Sequence, residues 1–335
     1  MIQLTFRDMI KKFIFSVIVI LVTGNLLRAQ DPEFTQFYAN KLYLNPAFAG
    51  SEKCARAQLN YRNQWPKLGS TYVTYSASFD QRVDVLEGGL GLLIMNDIQG
   101  DGAINTFSAS AMYAYTVALN RYTSLIGGFQ VSYFQKTLNW DYIFPDMLHP
   151  VYGAIFPTQE DLVATDLKKG YFDFSTGGIL ANRIHTFGIA IHHLTQPPES
   201  YRNSSDAVLP RKYTVHYGTR IPIKARGYRK GELYISPQVL YQRQRDFEQF
   251  NYGFYFSRKN IVGGLWMRQN FRFHYDSFVM ILGFIQSKFR VAYSYDLTVS
   301  KLRNQTLGAH EISLGYTFPC RQKHKKFRPI QCPSF

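Results

Sequence analysis

The chain has 335 residues, 46% of them apolar and 16% aromatic, with only 18% charged and a formal net charge of +15. That balance argues against a soluble, helix-built enzyme. Past residue 30 the apolar residues come as Tyr, Phe, Val and Ile in short alternating stretches, the composition of strands, and no run approaches the roughly 20 residues a spanning helix needs.

At the start, Lys11 and Lys12 precede an apolar stretch from Phe13 to Val22, and Leu27-Arg28-Ala29 places a small residue before Gln30. This reads as a secretory signal over 1–29, cleaved after Ala29, and the stretch is too short for an anchor. No cysteine follows the cleavage point directly, which argues against a lipoprotein. Residues 1–29 hold Arg7, Lys11, Lys12 and Arg28 against Asp8, so the exported chain keeps about +12. Such basicity attracts nucleic acid, anionic lipid or acidic protein. Export removes nucleic acid from that choice.

Residues 30–53 come next, and Gln30–Gly50 reads QDPEFTQFYANKLYLNPAFAG. Asp31-Pro32 and Asn45-Pro46 disfavour helix at those points. Phe34, Phe37, Tyr38 and Tyr43 need burial, so the segment is expected to fold as a plug in a barrel lumen or at its periplasmic mouth.

From residue 54 to 318 the alternation recurs as fourteen predicted strands: 54–64, 70–80, 88–97, 104–118, 122–137, 171–182, 185–195, 211–221, 232–243, 247–258, 261–269, 275–286, 289–298 and 308–318. In the clearest, Phe289, Val291, Tyr293, Tyr295 and Leu297 share one face, and Arg290, Ala292, Ser294 and Asp296 the other. A bulky apolar face against a polar one, repeated along the chain, predicts an all-β fold, a transmembrane antiparallel β-barrel of the outer membrane. An Arg at Tyr293 should then damage the barrel far more than one at Ser294. An even count returns both ends to the periplasm. The odd connections include the long 138–170, 196–210 and 299–307. Most even ones are short, with 81–87 and 222–231 as exceptions, so the long loops are expected to face the medium. The last strand alternates Ile312, Leu314, Tyr316 and Phe318 with Glu311, Ser313, Gly315 and Thr317.

Residues 319–335 are too polar for another strand and form a short periplasmic tail, with Arg321, Lys323, Lys325, Lys326 and Arg328 between Cys320 and Cys332. An oxidising compartment allows one bridge among the three cysteines. Cys320–Cys332 is the favoured local closure. Cys54–Cys320 also fits, because first and last strands are neighbours in a closed barrel.

Chemistry is sparse. His192 and His193 are adjacent, so within a strand they point to opposite faces and cannot share a metal. No G-x-S-x-G or H-E-x-x-H occurs. A non-enzymatic protein without cofactors is expected.

The N-terminal QDPEFTQFYANKLYLNPAFAG, the HEISLGYTF of His310–Phe318 and the closing CPSF of Cys332–Phe335 resemble the PorP/SprF family of type IX secretion membrane proteins from Bacteroidetes. Thr35 stands where that family would be expected to have Ser. The resemblance implies an outer-membrane component of type IX secretion and gliding. It would hold the C-terminal domain of a secreted adhesin at the cell surface, or contact periplasmic secretion components. Asp31, Pro32, Phe34, Gln36, Tyr38, Asn45, Pro46 and Gly50, with Arg321, Lys323, Lys325, Lys326 and Arg328, are the candidate partner-binding residues. The competing expectation is a FadL-like outer-membrane channel for a small hydrophobic solute, the N-terminal segment serving as a movable plug.

Overall fold

In the computed structural model the described residues are 31–52, 54–68, 71–139, 145–156, 167–200, 208–223, 233–271, 275–299 and 306–320. The expected signal over 1–29 and the basic run from Arg321 to Arg328, with Cys332, lie outside them.

Alternating side chains become wall strands because each strand can offer one face to lipid and the other to a polar interior. The strands are β1 (Arg56–Gln64), β2 (Tyr72–Val83), β3 (Gly88–Gln99), β4 (Ile104–Ala118), β5 (Ser124–Leu138), β6 (Lys168–Ala181) and β7 (His185–His192). The wall continues with β8 (Lys212–Thr219), β9 (Leu233–Gln244), β10 (Phe247–Arg258), β11 (Ile261–Gln269), β12 (Tyr275–Gln286), β13 (Phe289–Thr298) and β14 (Ala309–Thr317). Each pairs antiparallel with its neighbours in the chain, and β14 pairs with β1 to close the ring. The closed ladder leaves no open sheet edge, which a lipid environment demands.

Two predicted boundaries move for identifiable reasons. The strand expected over 185–195 stops at His192 because His193 takes a left-handed φ of 58°. The one expected over 211–221 stops at Thr219, and after Arg220 the pair Ile221–Pro222 rejoins β9 opposite Ile235 and Tyr234. Pro237 of β9 faces this break, since β8 pairs as far as Gln238 and the next bridge is at Ile235. A proline, which has no N–H to donate, fits where the neighbouring strand is interrupted.

The two faces divide as the sequence suggests. On β13, Phe289, Val291 and Tyr293 are exposed, while Ala292, Ser294 and Asp296 are buried inside. Leu92 and Ile94 of β3 and Met280, Leu282 and Phe284 of β12 continue the outer apolar band. Aromatic clusters border that band near both mouths. Phe289, Tyr316 and Phe318 lie near one, and Tyr61 with Tyr75 and Trp65 with Tyr72 near the other. Two such girdles are the interfacial anchors of an outer-membrane barrel.

At the mouth that holds both ends of the barrel segment, β10–β11 and β12–β13 are joined by Lys259-Asn260 and Ser287-Lys288. The far mouth holds the long connection 139–167, which includes a small hairpin of Leu148–His149 with Gly153–Ala154. Epitopes inserted into described parts of that connection, or near Gln196, are expected to label on intact cells. Those inserted at Asp84–Leu86 should label only after permeabilisation. The reverse pattern would turn the barrel upside down.

Candidate functional site

The inside of the ring is built around the segment Pro32–Ser51. Two prolines shape it. Helix runs only over Lys41–Leu44, ahead of Pro46, and Asn45 then caps a tight 3-10 turn, its Oδ1 accepting from the Ala47 N–H at 2.9 Å. From Phe34 to Gly50 every residue but Tyr43 is buried, and Tyr43 is half-buried. The four aromatics found their places: Phe37 meets Trp266 edge-on at 5.5 Å, and Tyr38 packs edge-on to Phe48. Phe34 meets Tyr43 at 5.4 Å, and the Tyr43 hydroxyl donates to the Pro32 carbonyl.

Around this plug the wall supplies space or a polar partner. A Cβ on Gly128 would lie 2.3 Å from the Ala47 nitrogen, and one on Gly89 would lie 2.5 Å from the Gly50 Cα. Only glycine lets the plug backbone lie directly on the wall at those points. Beside Gly128, Asn45 donates to the Ile189 carbonyl at 2.9 Å, and its amide lies 3.3 Å from His216 Nε2. The His216 ring stacks on Phe48 at 5.4 Å. Asn40 donates to Ser76 at 3.0 Å.

Two charged clusters fix the ends of the plug. At its start, the Thr35 hydroxyl donates to Asp296 at 2.6 Å and accepts from Arg62 at 2.5 Å and Arg268 at 3.2 Å. Its one proton and both lone pairs are used. The N–H groups of Thr35 and Gln36 donate to the two Glu311 oxygens at 2.6 and 3.1 Å. Gln36 also accepts from Ser313 at 2.6 Å and donates to Ser294 at 3.2 Å. Arg62 joins the carboxylates, 3.0 Å from Asp296 and 3.3 Å from Glu311. A Ser at position 35 would supply the same hydroxyl, so the departure from the family pattern costs nothing there.

At the plug's exit, Glu52 lies 3.2 Å from Lys41, 2.9 Å from Arg56 and 3.2 Å from Arg290. Burial by itself would raise the Glu52 carboxyl, but these three cations outweigh it and hold it well below the usual carboxylate range. Arg56 also pairs with Asp80 at 2.9 Å, and Asp80 accepts from the Gly50 N–H at 3.2 Å.

Of the candidate partner residues, Phe34, Gln36, Tyr38, Asn45, Pro46 and Gly50 are therefore buried parts of the plug, while Pro32 is half-buried at its entrance. The six buried ones pack within the segment, and Asp31 beside Pro32 is also half-buried. Arg62, Asp296, Glu311, Arg268, Arg56 and Glu52 belong to the site although the sequence reading did not single them out for it. The available signal was inward-facing charge on neighbouring strands.

The favoured bridge Cys320–Cys332 is corrected: the disulfide joins Cys54 to Cys320, with Cα atoms 5.5 Å apart. Arg56 pairs with Thr317 across the closing seam, so the residues just before β1 and just after β14 are brought together by the barrel itself. Closure outweighs proximity in sequence. On non-reducing gels, Cys54→Ser should abolish the mobility difference between oxidised and reduced unfolded chain, and Cys332→Ser should leave it intact.

The histidine reading also needs amending. His193 has left the strand and turns inward like His192, its Nδ1 lying 2.9 Å from Asp173 Oδ2. Among the described residues no group of three His, Cys, Asp or Glu side chains could hold a metal ion.

Compared with known proteins, residues 26–316 match the family model described as type IX secretion system membrane protein PorP/SprF. No curated protein matches the chain. Among solved structures, the Ralstonia pickettii toluene transporter TbuX is similar at 10% identity and a TM-score of 0.46, over 83% of this chain and 93% of that one. A TodX monoaromatic hydrocarbon channel mutant is similar at 9% identity and a TM-score of 0.47, over 83% of this chain and 94% of that one. Acinetobacter baumannii Omp33 is similar at 8% identity and a TM-score of 0.41, over 80% of this chain and all of that one. At these identities the likeness is one of barrel architecture.

Proposed function

Because the chain belongs to the PorP/SprF family of type IX secretion system membrane proteins, we propose that it is a non-enzymatic platform of the outer membrane. In this reading it anchors the C-terminal domain of a secreted, adhesin-like protein at the surface, or links the barrel to periplasmic secretion components. The observation that carries the reading is the latched plug. Its polar contacts reach β1, β2, β7, β11, β13 and β14, and its backbone lies against β3 and β5. A wall braced from within on so many sides suits a rigid docking body better than a solute path. Before the segment moved, the hydrogen bonds of Thr35 and Gln36 to Asp296 and Glu311 and the Lys41–Glu52 pair would have to break, and each buried polar group left unpaired costs about 1–3 kcal/mol.

A tagged chromosomal copy should co-purify with a large secreted protein or with periplasmic machinery. If the wild-type barrel instead passes small hydrophobic solutes in a bilayer and retains no protein, the platform reading fails and the channel takes its place.

The basic tail is the second contact in this proposal. Cys320 is tied to the barrel seam, so the charges from Arg321 to Arg328 start from a fixed point near the mouth that holds both ends of the barrel segment. Single exposed ion pairs contribute about 0–1 kcal/mol, so one Lys→Ala change should do almost nothing. Replacing Lys323, Lys325, Lys326 and Arg328 together with Glu should leave the heat-modifiable barrel intact while abolishing pull-down. Undiminished pull-down by that fourfold variant would reduce the tail to a solvated end.

A further inference from the structure

The plug and the tail both leave one surface unexplained, on the outer wall at the far mouth. Tyr213 of β8 and Arg243 of β9 are directly paired across the two strands. Both point outwards, because their neighbours Lys212, Thr214, Gln242 and Gln244 are buried in the lumen. With Pro210, Arg211, Tyr241 and Arg245 they line an open groove of about 680 Å³. Tyr241 packs against Phe271 at 5.2 Å, and Phe271 against Phe250 at 5.6 Å. Going outward along the wall, an aromatic shelf is thus followed by three guanidinium groups.

The charge at this spot is incompletely neutralised. Arg243 lies 3.6 Å from Glu248, and Asp246 sits in the same turn. Arg211 donates to the Leu194 carbonyl at 3.2 Å, and Arg243 to the Arg245 carbonyl at 3.3 Å. Among the described residues no carboxylate lies within ion-pair distance of Arg211 or Arg245. The opposite rim handles its cations differently: Arg183 lies 3.9 Å over the Tyr122 ring and Arg220 4.2 Å over that of Tyr234. Those side chains are laid flat on aromatics, whereas the three at the far rim converge on a groove.

We infer that this groove binds the phosphate of a membrane glycolipid headgroup, in the leaflet at the far mouth. Guanidinium forks match phosphate oxygens geometrically, and charge-assisted bonds of this kind are among the stronger ones. The aromatic shelf sets the depth, since such rings sit at the headgroup level of a barrel wall. Below it Val215, Tyr217 and Val239 continue the outer face of β8 and β9, against which acyl chains can lie. The inference rests on the barrel's place in the membrane and is independent of the secreted partner, so either can fail without the other.

The test uses the full exported chain in phosphatidylcholine nanodiscs. They are supplied with diphosphoryl lipid A or its dephosphorylated form, and bound lipid is counted by native mass spectrometry. The wild type should retain the phosphorylated lipid and not the dephosphorylated one. Each basic side chain near anionic lipid is worth about fivefold in retention, so Arg211→Gln, Arg243→Gln and Arg245→Gln combined should reduce it by tenfold or more. The pair Arg183→Gln and Arg220→Gln should change nothing. Equal retention of both lipids by the wild type overturns the proposal, and does so even if the triple variant fails to fold. So does displacement of the lipid by millimolar inorganic phosphate, which would mark a free-anion site. Binding of a polyglutamate peptide with no retention of lipid would overturn it in favour of a protein-docking groove.

Discussion

Arg62→Met is expected to lower the barrel's stability by about 3–5 kcal/mol, the usual result of removing one partner from a buried ion pair. Arg62 is 2% exposed and bridges Asp296 and Glu311, which are 3% and 0% exposed. Asp296 would still have Arg268, 3.4 Å away. Glu311 would be left with the hydrogen bonds from the Thr35 and Gln36 N–H groups. Combining Arg62→Met with Glu311→Gln should recover part of the loss, because the carboxylate left without its cation is removed while Asp296 keeps Arg268. Urea unfolding in detergent micelles measures both variants. If the single change costs less than about 1 kcal/mol, the cluster does not hold the plug.

The second large effect is on the lipid side. Tyr293 is the fifth of ten residues in β13 and is 45% exposed on the outer face. Tyr293→Arg there should cost roughly 2–4 kcal/mol if the site is near the bilayer midplane. The milder outcome expected for Ser294→Arg from the alternation alone does not survive the structure. Ser294 is 0% exposed, accepts from Gln36 and is paired directly with Glu311. An arginine there overpacks the latch, at about 1–3 kcal/mol, and drives out the start of the plug. Heat-modifiable gel mobility reads the wall and single-channel conductance reads the plug. Tyr293→Arg should shift the first alone. Ser294→Arg should raise the second, and a silent conductance trace for Ser294→Arg would show that the plug does not close the lumen.

Much of the wall was readable because its cause is local. In Tyr275–Gln286 the outer Met280, Leu282 and Phe284 alternate with inner residues, and the turn Ser287-Lys288 marks the end. The plug was readable as a need, since Phe34, Phe37, Tyr38 and Tyr43 had to be buried somewhere. Its latch was not, because Arg62 faces Glu311 only through the β1–β14 pairing that closes the ring. A register between residues 249 positions apart leaves no mark on either local pattern. The disulfide was legible as one of two alternatives: closure of the ring made Cys54–Cys320 fit, but spacing favoured the nearer cysteine. Arg245 and Tyr213 read as an ordinary turn and an ordinary outer face until the fold put them at one rim.

The Cys54–Cys320 bond spans 266 positions and so makes the whole barrel segment a covalent ring. With the long connections facing the medium, as the epitope insertions are expected to show, a protease acting from outside the cell meets the far mouth first. One cut there opens the chain but releases nothing: both pieces stay joined at the seam and paired through their strands. The fragment that carries the plug stays bonded through Cys54 to the fragment that carries Cys320. Such a protein can be nicked at the surface and remain a single particle on its membrane, losing its integrity only after a second cut or on entering a reducing solution.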